Sequence, residues 1–426
     1  LAETGSTSTD IVMFRFRRSG MCGTKDWRPL VEDKPLRVLF LTPYFRPYLG
    51  GIERAIEQLS FQIQQSDAIE AVGVLTTKYS FPRKPQPTWC DRETTPEGIA
   101  IFRLSGFPLR PPPFYSVPLV WFSPIRIKKY LDEFQPDVIH FMGDGWFWGH
   151  IWAWFWYRGR VRVVFTPSYH PLPPSRWWLK PINAFLSHVA DRVVALTGLE
   201  ADGVHRAYRT GKDKLGVIGW GTSMGSKIYQ GRNRQQNGNG SQTGPLTILC
   251  VGRLGSHKGQ RWLLKIYLMA RKRFARPVRI VLVGRDEGAA AGIEKFIAEY
   301  RIQDEVVVTG EVSDNALAEW YAESDLFALF SQYEAFGLVF LEAMAHGTPV
   351  LTHDAGANRE VLLKGAIVVP RYDEKSAVEE LVRLVNDSGA RRELGKEAQE
   401  YALSEFAWPA VAKKYLEVYQ CARSAA

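Results

Sequence analysis

The sequence predicts an α/β protein of two doubly wound, Rossmann-like domains facing each other across a cleft. Three observations carry this. Short apolar runs rich in strand formers alternate with stretches of helical period along most of the chain. A segment dominated by Asn, Gly, Gln and Ser at 223–245 divides those runs into two sets of similar length. The length of 426 residues, 46% hydrophobic and 23% charged, suits two or three globular domains and excludes a fibrous or wholly disordered chain.

Residues 1–34, whose start is small and polar, read as an N-terminal tail outside the fold. The first domain is expected over 35–222. It opens with Leu36-Arg37-Val38-Leu39-Phe40-Leu41, a short buried-strand pattern that Thr42-Pro43 closes. Gly50-Gly51 follows, and residues 52–64 then read as an amphipathic helix. Strand, glycine loop and helix in that order open a nucleotide-type unit. Further strands are expected at 71–76, 99–103, 138–141, 161–166 and 192–196, with helical segments between several of them. After the linker at 223–245, the second domain, 246–407, resumes with strands at 246–251, 279–283, 306–309, 326–329 and 350–352. A cleft between two such domains is the expected ligand site.

Charge is distributed unevenly. The net charge is +9, yet residues 1–240 hold 31 Lys+Arg against 20 Asp+Glu, net +11, and residues 241–426 hold 23 against 25, net −2. The basic half therefore calls for an anionic partner: lipid headgroups, polyphosphates or nucleic acid. Aromatics reach 13%, with 14 Trp. Three segments of the first half mix aromatic and basic residues. They are Trp146 to Tyr157 followed by Arg158, Arg160 and Arg162; Pro111 to Tyr130 with Trp121, Arg126, Lys128 and Lys129; and Arg176-Trp177-Trp178-Leu179-Lys180. The run 146–157 reads either as a buried helix packed on the sheet or as an interfacial segment. Three such segments together favour peripheral docking on a membrane. No nucleic-acid-binding module accompanies them, so nucleic acid is not an expected partner.

No apolar run of eighteen residues appears, so a transmembrane helix is not expected. No signal peptide is visible. Cys22, Cys90, Cys250 and Cys421 lie far apart with no CxxC pair, against a zinc ribbon, a redox dithiol or a disulfide framework. The expected location is cytoplasmic, peripheral at the inner face of the membrane.

The most specific stretch runs from Ser331 to Val350. Glu334 and Glu342 stand there with seven residues between them, Gly337 among those seven where a helix would begin. Such a helix start favours phosphate, and the two carboxylates would flank it. That suits a nucleotide-sugar, one carboxylate gripping sugar hydroxyls and the other a ribose; two solvated helix glutamates are the plain alternative. Arg253 and Lys258 place two cations after a buried strand, enough to neutralise a diphosphate without a metal. No D-x-D occurs in the chain, and no metal or other cofactor is expected. A dinucleotide-binding G-x-G-x-x-G is absent from the Gly50-Gly51-Ile52-Glu53 loop, which argues against a dehydrogenase.

The stretch Glu334 to Leu351 resembles the E-x7-E motif of retaining glycosyltransferases of the GT-B fold, family GT4. The resemblance covers about residues 36–415. Val251 to Gly259 is similar to that family's G-R-L-x3-K-G segment, Gly50 to Glu53 to its G-G-x-E loop, and Gly310-Glu311-Val312 to its G-x-V segment near the base. Asp354 to Glu360 matches a helix-opening segment and reads as structural. The resemblance implies metal-independent transfer of a hexosyl group from a UDP- or GDP-sugar with retention, for glycan or glycolipid synthesis. Glu334, Arg253, Lys258 and His170 would be the catalytic set. Gly50, Gly51, Gly252, Gly310, Val312, Phe336, Gly337, Leu338 and Glu342 would bind the donor. Glu53, His140 and Asp144 would meet the acceptor, with Asp144 alternatively capping the next helix and His140 alternatively a satisfied buried histidine. A last helix within 408–426 would cross back to the first domain.

One departure stands out. Relatives carry a histidine in a T-x-H pattern, and this chain reads Thr166-Pro167-Ser168-Tyr169-His170, so Ser168 holds that place. Either His170 takes over the role or the role has lapsed. The resemblance leaves three readings open: transfer to a membrane-associated acceptor, whether lipid-linked, glycolipid or polysaccharide; synthesis of a soluble sugar product; and a membrane-docked nucleotide-sugar-binding protein that has lost catalysis.

Overall fold

The computed structural model describes residues 34–47, 50–80, 84–86, 88–108, 120–143, 147–169, 179–222 and 244–420. The expectations that fall on 1–33, 223–243, Asp144, His170 and the Trp177-Trp178 pair lie outside the described residues.

The first domain contains β1 (Leu36–Leu41), α1 (Gly51–Gln64), β2 (Ile69–Thr77), β3 (Tyr79–Ser80), β4 (Lys84–Pro85), β5 (Arg92–Thr94), β6 (Ala100–Leu104), β7 (Gly106–Pro108) and β8 (Val120–Phe122). It continues through α2 (Pro124–Phe134), β9 (Val138–Met142), α3 (Phe147–Tyr157), β10 (Arg162–Thr166), α4 (Leu179–Val189), β11 (Arg192–Ala195), α5 (Gly198–Tyr208) and β12 (Leu215–Val217). Its main sheet has the order β12-β11-β10-β9-β1-β2-β6-β5. Every pairing in it is parallel except the edge strand β5, which runs antiparallel to β6.

The second domain holds β13 (Leu246–Val251), α6 (Gln260–Ala270), β14 (Val278–Val283), α7 (Ala290–Glu299), β15 (Val306–Gly310), α8 (Asp314–Glu323), β16 (Leu326–Ala328), α9 (Leu338–Ala345), β17 (Val350–His353), α10 (Asn358–Val361) and β18 (Ala366–Val369), followed by α11 (Glu374–Asn386), α12 (Ser388–Glu405) and α13 (Trp408–Gln420). Its sheet, β15-β14-β13-β16-β17-β18, is parallel throughout.

Strand β1 shows why the apolar runs are continuous rather than alternating. Leu36, Val38 and Phe40 face one core, and Leu39 and Leu41 face another. Both faces of the sheet are covered, as a parallel sheet requires. Helices α2, α3, α4 and α5 cover one face through Ile127, Leu131, Ala153, Leu186 and Val204. Helix α1 covers the other, joined by Tyr415 and Tyr419 of α13, and this core runs on into the second domain. The chain enters α13 through a crossover: Thr222 N–H donates to Phe406 O at 2.6 Å, and Trp408 N–H donates to Thr222 O at 3.3 Å.

In each sheet the strand order reverses beside the first strand, between β9 and β1 and between β13 and β16. A crevice forms at the carboxyl ends of strands at such a point. The loops that leave there, after β1, β13 and β16, are the ones that carry Gly50-Gly51, Arg253 to Lys258 and Glu334.

The run at 147–157 packs on the sheet by one side and is open to solvent on the other. Ala153, Tyr157 and His150 are buried, while Phe155 stands in solvent.

Candidate functional site

The loop after β13 is held from beneath. Gln260, buried, donates its side-chain N–H to Arg253 O at 2.9 Å. Gly259 has φ +73°, and a Cβ there would lie 2.0 Å from Phe330 O, so only glycine fits. The turn delivers Lys258 to Glu334: Nζ donates to Oε1 at 2.7 Å, with the two side chains 16% and 10% exposed. The main chain of Glu334 is fixed in turn, because its O accepts Ala357 N–H at 2.9 Å. The segment 354–360 thus backs the site.

Arg253 takes a different partner. Its Nη1 donates to Glu287 Oε1 at 2.7 Å, and its side chain is 46% exposed. Glu287 was absent from the sequence reading; its only signal is a position just after the strand end at Val283, beside Gly284. Gly252 N–H donates to Val283 O, and Gly284 N–H donates to Gly310 O, each at 2.9 Å, so the three loop glycines run side by side. Val312 packs half-buried against the core.

Gly337 is the N-cap of α9, with φ +81° and no side-chain cap. The helix therefore presents uncapped N–H groups, an arrangement that binds anions. Glu342 lies further along α9 and accepts a hydrogen bond from Tyr321 Oη at 2.7 Å through Oε2. Burial raises its pKa above the usual carboxylate value, opposed by Tyr321 and Arg54. Leu338 and Glu342 line a cavity of about 160 Å³ at the domain seam, together with Arg54, Asp314, Tyr321 and His346.

Two candidates move out of the site. Phe336 is buried against Trp220 and Phe406, ring centroids 6.2 and 5.8 Å away, so it packs the seam and sets the path into Gly337 rather than facing a donor. His140 is fully buried. Its Nδ1 is 2.8 Å from Tyr419 Oη and its Nε2 is 2.9 Å from Thr166 Oγ1. Burial pulls its pKa down to about 3. A neutral ring with both nitrogens engaged pins α13 to β9 and β10 and offers nothing to an acceptor.

The first domain contributes the start of α1. Gly50 N–H donates to Glu53 Oε2 at 2.9 Å, and Gly51 has open space around it. Glu53 is buried, which pushes its pKa up to about 7 against the opposing pull of the Gly50 N–H and of Arg253. The glycine loop of one domain and the cationic loop of the other therefore approach each other. Ser168, at the place of the family histidine, is buried with φ +49°.

Two further ties cross the seam. Arg54 Nη2 donates to Asp314 Oδ1 at 2.6 Å. Glu360 accepts the N–H groups of Gly198 and Leu199, the latter at 2.9 Å, so a carboxylate of the second domain caps α5 of the first. Among the described residues no group of three or more His, Cys, Asp or Glu could hold a metal ion.

Two Rossmann-like domains whose carboxyl-end loops meet across a crevice make up the GT-B architecture, a fold of glycosyltransferases. Solved structures share the architecture. Sucrose-phosphate synthase from Thermosynechococcus elongatus has a TM-score of 0.71 at 22% identity, covering 90% of this chain and 98% of that one. HepE of Anabaena, in complex with UDP and glucose, has a TM-score of 0.65 at 19% identity, covering 90% and 99%.

Residues 49–223 match the model of Glycosyltransferase Family 4, and residues 231–401 match that of Glycosyl transferases group 1. The chain belongs to this family, the group 1 glycosyltransferases of GT4 type. Its relatives include sulfoquinovosyl transferase SQD2 of Arabidopsis thaliana, 26% identical over 404 residues, which are 90% of this chain and 73% of that protein. The D-inositol 3-phosphate glycosyltransferase of Corynebacterium diphtheriae is 30% identical over 241 residues, 54% of this chain and 56% of that protein. The match thus spans little more than half the length of that relative.

Proposed function

We propose that this protein is a retaining hexosyltransferase that moves a hexosyl group from a UDP- or GDP-sugar to a membrane-associated acceptor. The observation that carries the reading is the Lys258–Glu334 contact at 2.7 Å, made by loops that leave the same crevice as the uncapped start of α9. The donor diphosphate would lie between that helix start and the side chains of Arg253 and Lys258. Glu334 would hold hydroxyls of the sugar, and Glu342 those of the ribose. HepE, whose structure holds UDP and glucose, supports a nucleotide-sugar as donor.

In the proposed step the bond from the anomeric carbon to the diphosphate oxygen breaks. The acceptor oxygen bonds to the same face of that carbon, and its proton passes to the departing diphosphate oxygen. Arg253 and Lys258 stabilise the charge that develops there. This route needs no side-chain base and no metal, so Ser168 in place of the family histidine is compatible with turnover.

A second reading, transfer to a small soluble acceptor, is favoured by the D-inositol 3-phosphate glycosyltransferase relatives. The test is a thermal-shift screen against UDP, GDP, ADP and their sugar conjugates, followed by assignment of the product anomer by NMR. A shift with one nucleotide family and a product of the donor's own anomeric configuration are expected. An inverted product overturns the retaining mechanism.

A further inference from the structure

Among the described residues of the first domain five large apolar side chains stand exposed; Leu199 lies apart at the start of α5, and the other four are Trp121 at 40%, Ile125 at 75%, Phe155 at 41% and Phe185 at 36%. They come from β8, α2, α3 and α4, and these helices cover the same face of the sheet. Helix α3 packs against both α2 and α4. The exposed rings line α3 as a ridge, each packed on one of its tryptophans. Trp121 packs on Trp148 at 5.8 Å, Phe155 on Trp152 at 5.8 Å, and Phe185 on Trp154 at 5.2 Å between centroids. Eleven residues of α3 make the ridge roughly 16 Å long.

Cations edge this ridge. The Arg158 guanidinium lies 5.6 Å from the Trp154 centroid and 5.1 Å from that of Phe155. Lys129, Arg158 and Lys180 are exposed, and none makes an ion pair among the described residues. Below Arg158 a cavity of about 300 Å³ opens between Trp154, Val161, Val163 and Val189. Asp191 borders it, but its carboxylate accepts Val163 N–H at 2.8 Å and is tied to the backbone.

The second domain has no counterpart. Its exposed Met269, Tyr300, Leu363 and Tyr372 sit singly on separate segments, and its half of the chain carries the net negative charge.

We infer that the outer face of α2, α3 and α4 is a docking surface for a bilayer containing anionic phospholipid. Tryptophan and arginine together suit the interfacial region of a membrane, where rings enter the acyl boundary and guanidinium groups meet phosphate. An exposed ridge edged by unpaired cations, in the half that carries the positive charge, is complementary to that surface and not to water. The Trp121–Trp148 end of the ridge is also the end nearest the cleft. Helix α3 starts just after β9, the strand beside β1, and the loops after both strands leave the same sheet edge. A docked enzyme would thus hold its cleft rim close to the headgroups. The inference rests on the membrane-associated acceptor proposed above and specifies the face that meets the membrane.

The test is co-sedimentation of the full chain with vesicles of phosphatidylcholine alone and with about one-third phosphatidylglycerol. The wild type is expected to bind the anionic vesicles, with binding that falls as salt rises. Ile125→Glu with Phe155→Glu changes two exposed positions and should weaken binding at least tenfold. Arg158→Ala should weaken it about fivefold, the worth of one cation at an anionic surface. Met269→Glu, on the second domain, should leave it unchanged. Equal binding by the wild type and the Ile125/Phe155 double variant overturns the proposal, as does binding indifferent to lipid charge or no binding at all. Thermal shift with nucleotide-sugars on the same samples reads the transferase assignment separately, so each can fail without the other.

Discussion

Lys258 and Glu334 come from loops 76 residues apart and meet at 2.7 Å with little exposure. The pair gives a test that separates a catalytic role from a structural one. Lys258→Met removes the cation and leaves a shielded carboxylate without its partner. Breaking a buried pair on one side costs about 3–5 kcal/mol; with the residual exposure here, about 2–3 kcal/mol is expected, a melting shift on the order of 5–10 °C. Glu334→Gln strands the ammonium and costs a similar amount. The double variant strands neither charge and should recover most of the lost stability.

Activity should not follow stability. If Lys258 stabilises the departing diphosphate, its loss removes about 2.7–4 kcal/mol from the transition state, a rate lower by roughly 10²–10³. That loss should persist in the refolded, stable double variant. The assay pairs melting curves with the rate of nucleotide release from the sugar donor, measured for the wild type, both single variants and the double variant. A double variant that regains both its melting temperature and its rate would show that the pair only braces the loops, and the site assignment would fail.

Other residues lend themselves to equally direct tests. Glu53 holds its proton more tightly in the folded state, with a pKa raised from 4.5 to about 7 by burial. Stability should therefore fall as pH climbs from about 4.5 to 7 and stay lower above that, by about 3 kcal/mol. Glu53→Gln keeps an acceptor for Gly50 N–H, so in denaturant titrations it should match the wild type at pH 5 and exceed it at pH 8; parallel curves at both would refute the burial argument. Gly259→Ala places a Cβ 2.0 Å from Phe330 O at φ +73° and should cost about 2–4 kcal/mol while raising the donor KM as Lys258 shifts. His140→Leu leaves Tyr419 and Thr166 without their partner and should cost about 2–4 kcal/mol, with kcat per folded molecule unchanged. A kcat that collapses while the melting temperature holds would return His140 to the acceptor site.

The two-domain α/β architecture was legible because it is written locally. Strand β1 is a continuous apolar run because both its faces are covered, and that pattern needs no knowledge of what covers them. Gly337 marked the start of α9 for a similar reason: its left-handed backbone is a property of the turn itself. The residue types suited to a nucleotide-sugar, Glu334, Glu342, Arg253 and Lys258, could be named from their spacing and from the family resemblance.

Their partners could not. Nothing near Arg253 in sequence points to Glu287, 34 residues on, and nothing near Arg54 points to Asp314, 260 residues away. Glu360 read as the opening of its own helix, yet it caps the start of α5 in the other domain. His140 and Phe336 have side chains as suited to a site as to a core. Only the return of α13 onto β9, and the packing of Trp220 and Phe406 at the seam, bury them. The sequence by itself determined the alternation of the central strands with helices, the division into two doubly wound halves and the chemical kinds of group available, because those depend on neighbours a few residues apart. The edge strands β5, β12 and β18 emerged only in the sheets they complete. The tertiary structure alone decided which cation meets which carboxylate and which polar ring is silenced by burial, because those depend on where distant loops are carried by the sheets beneath them.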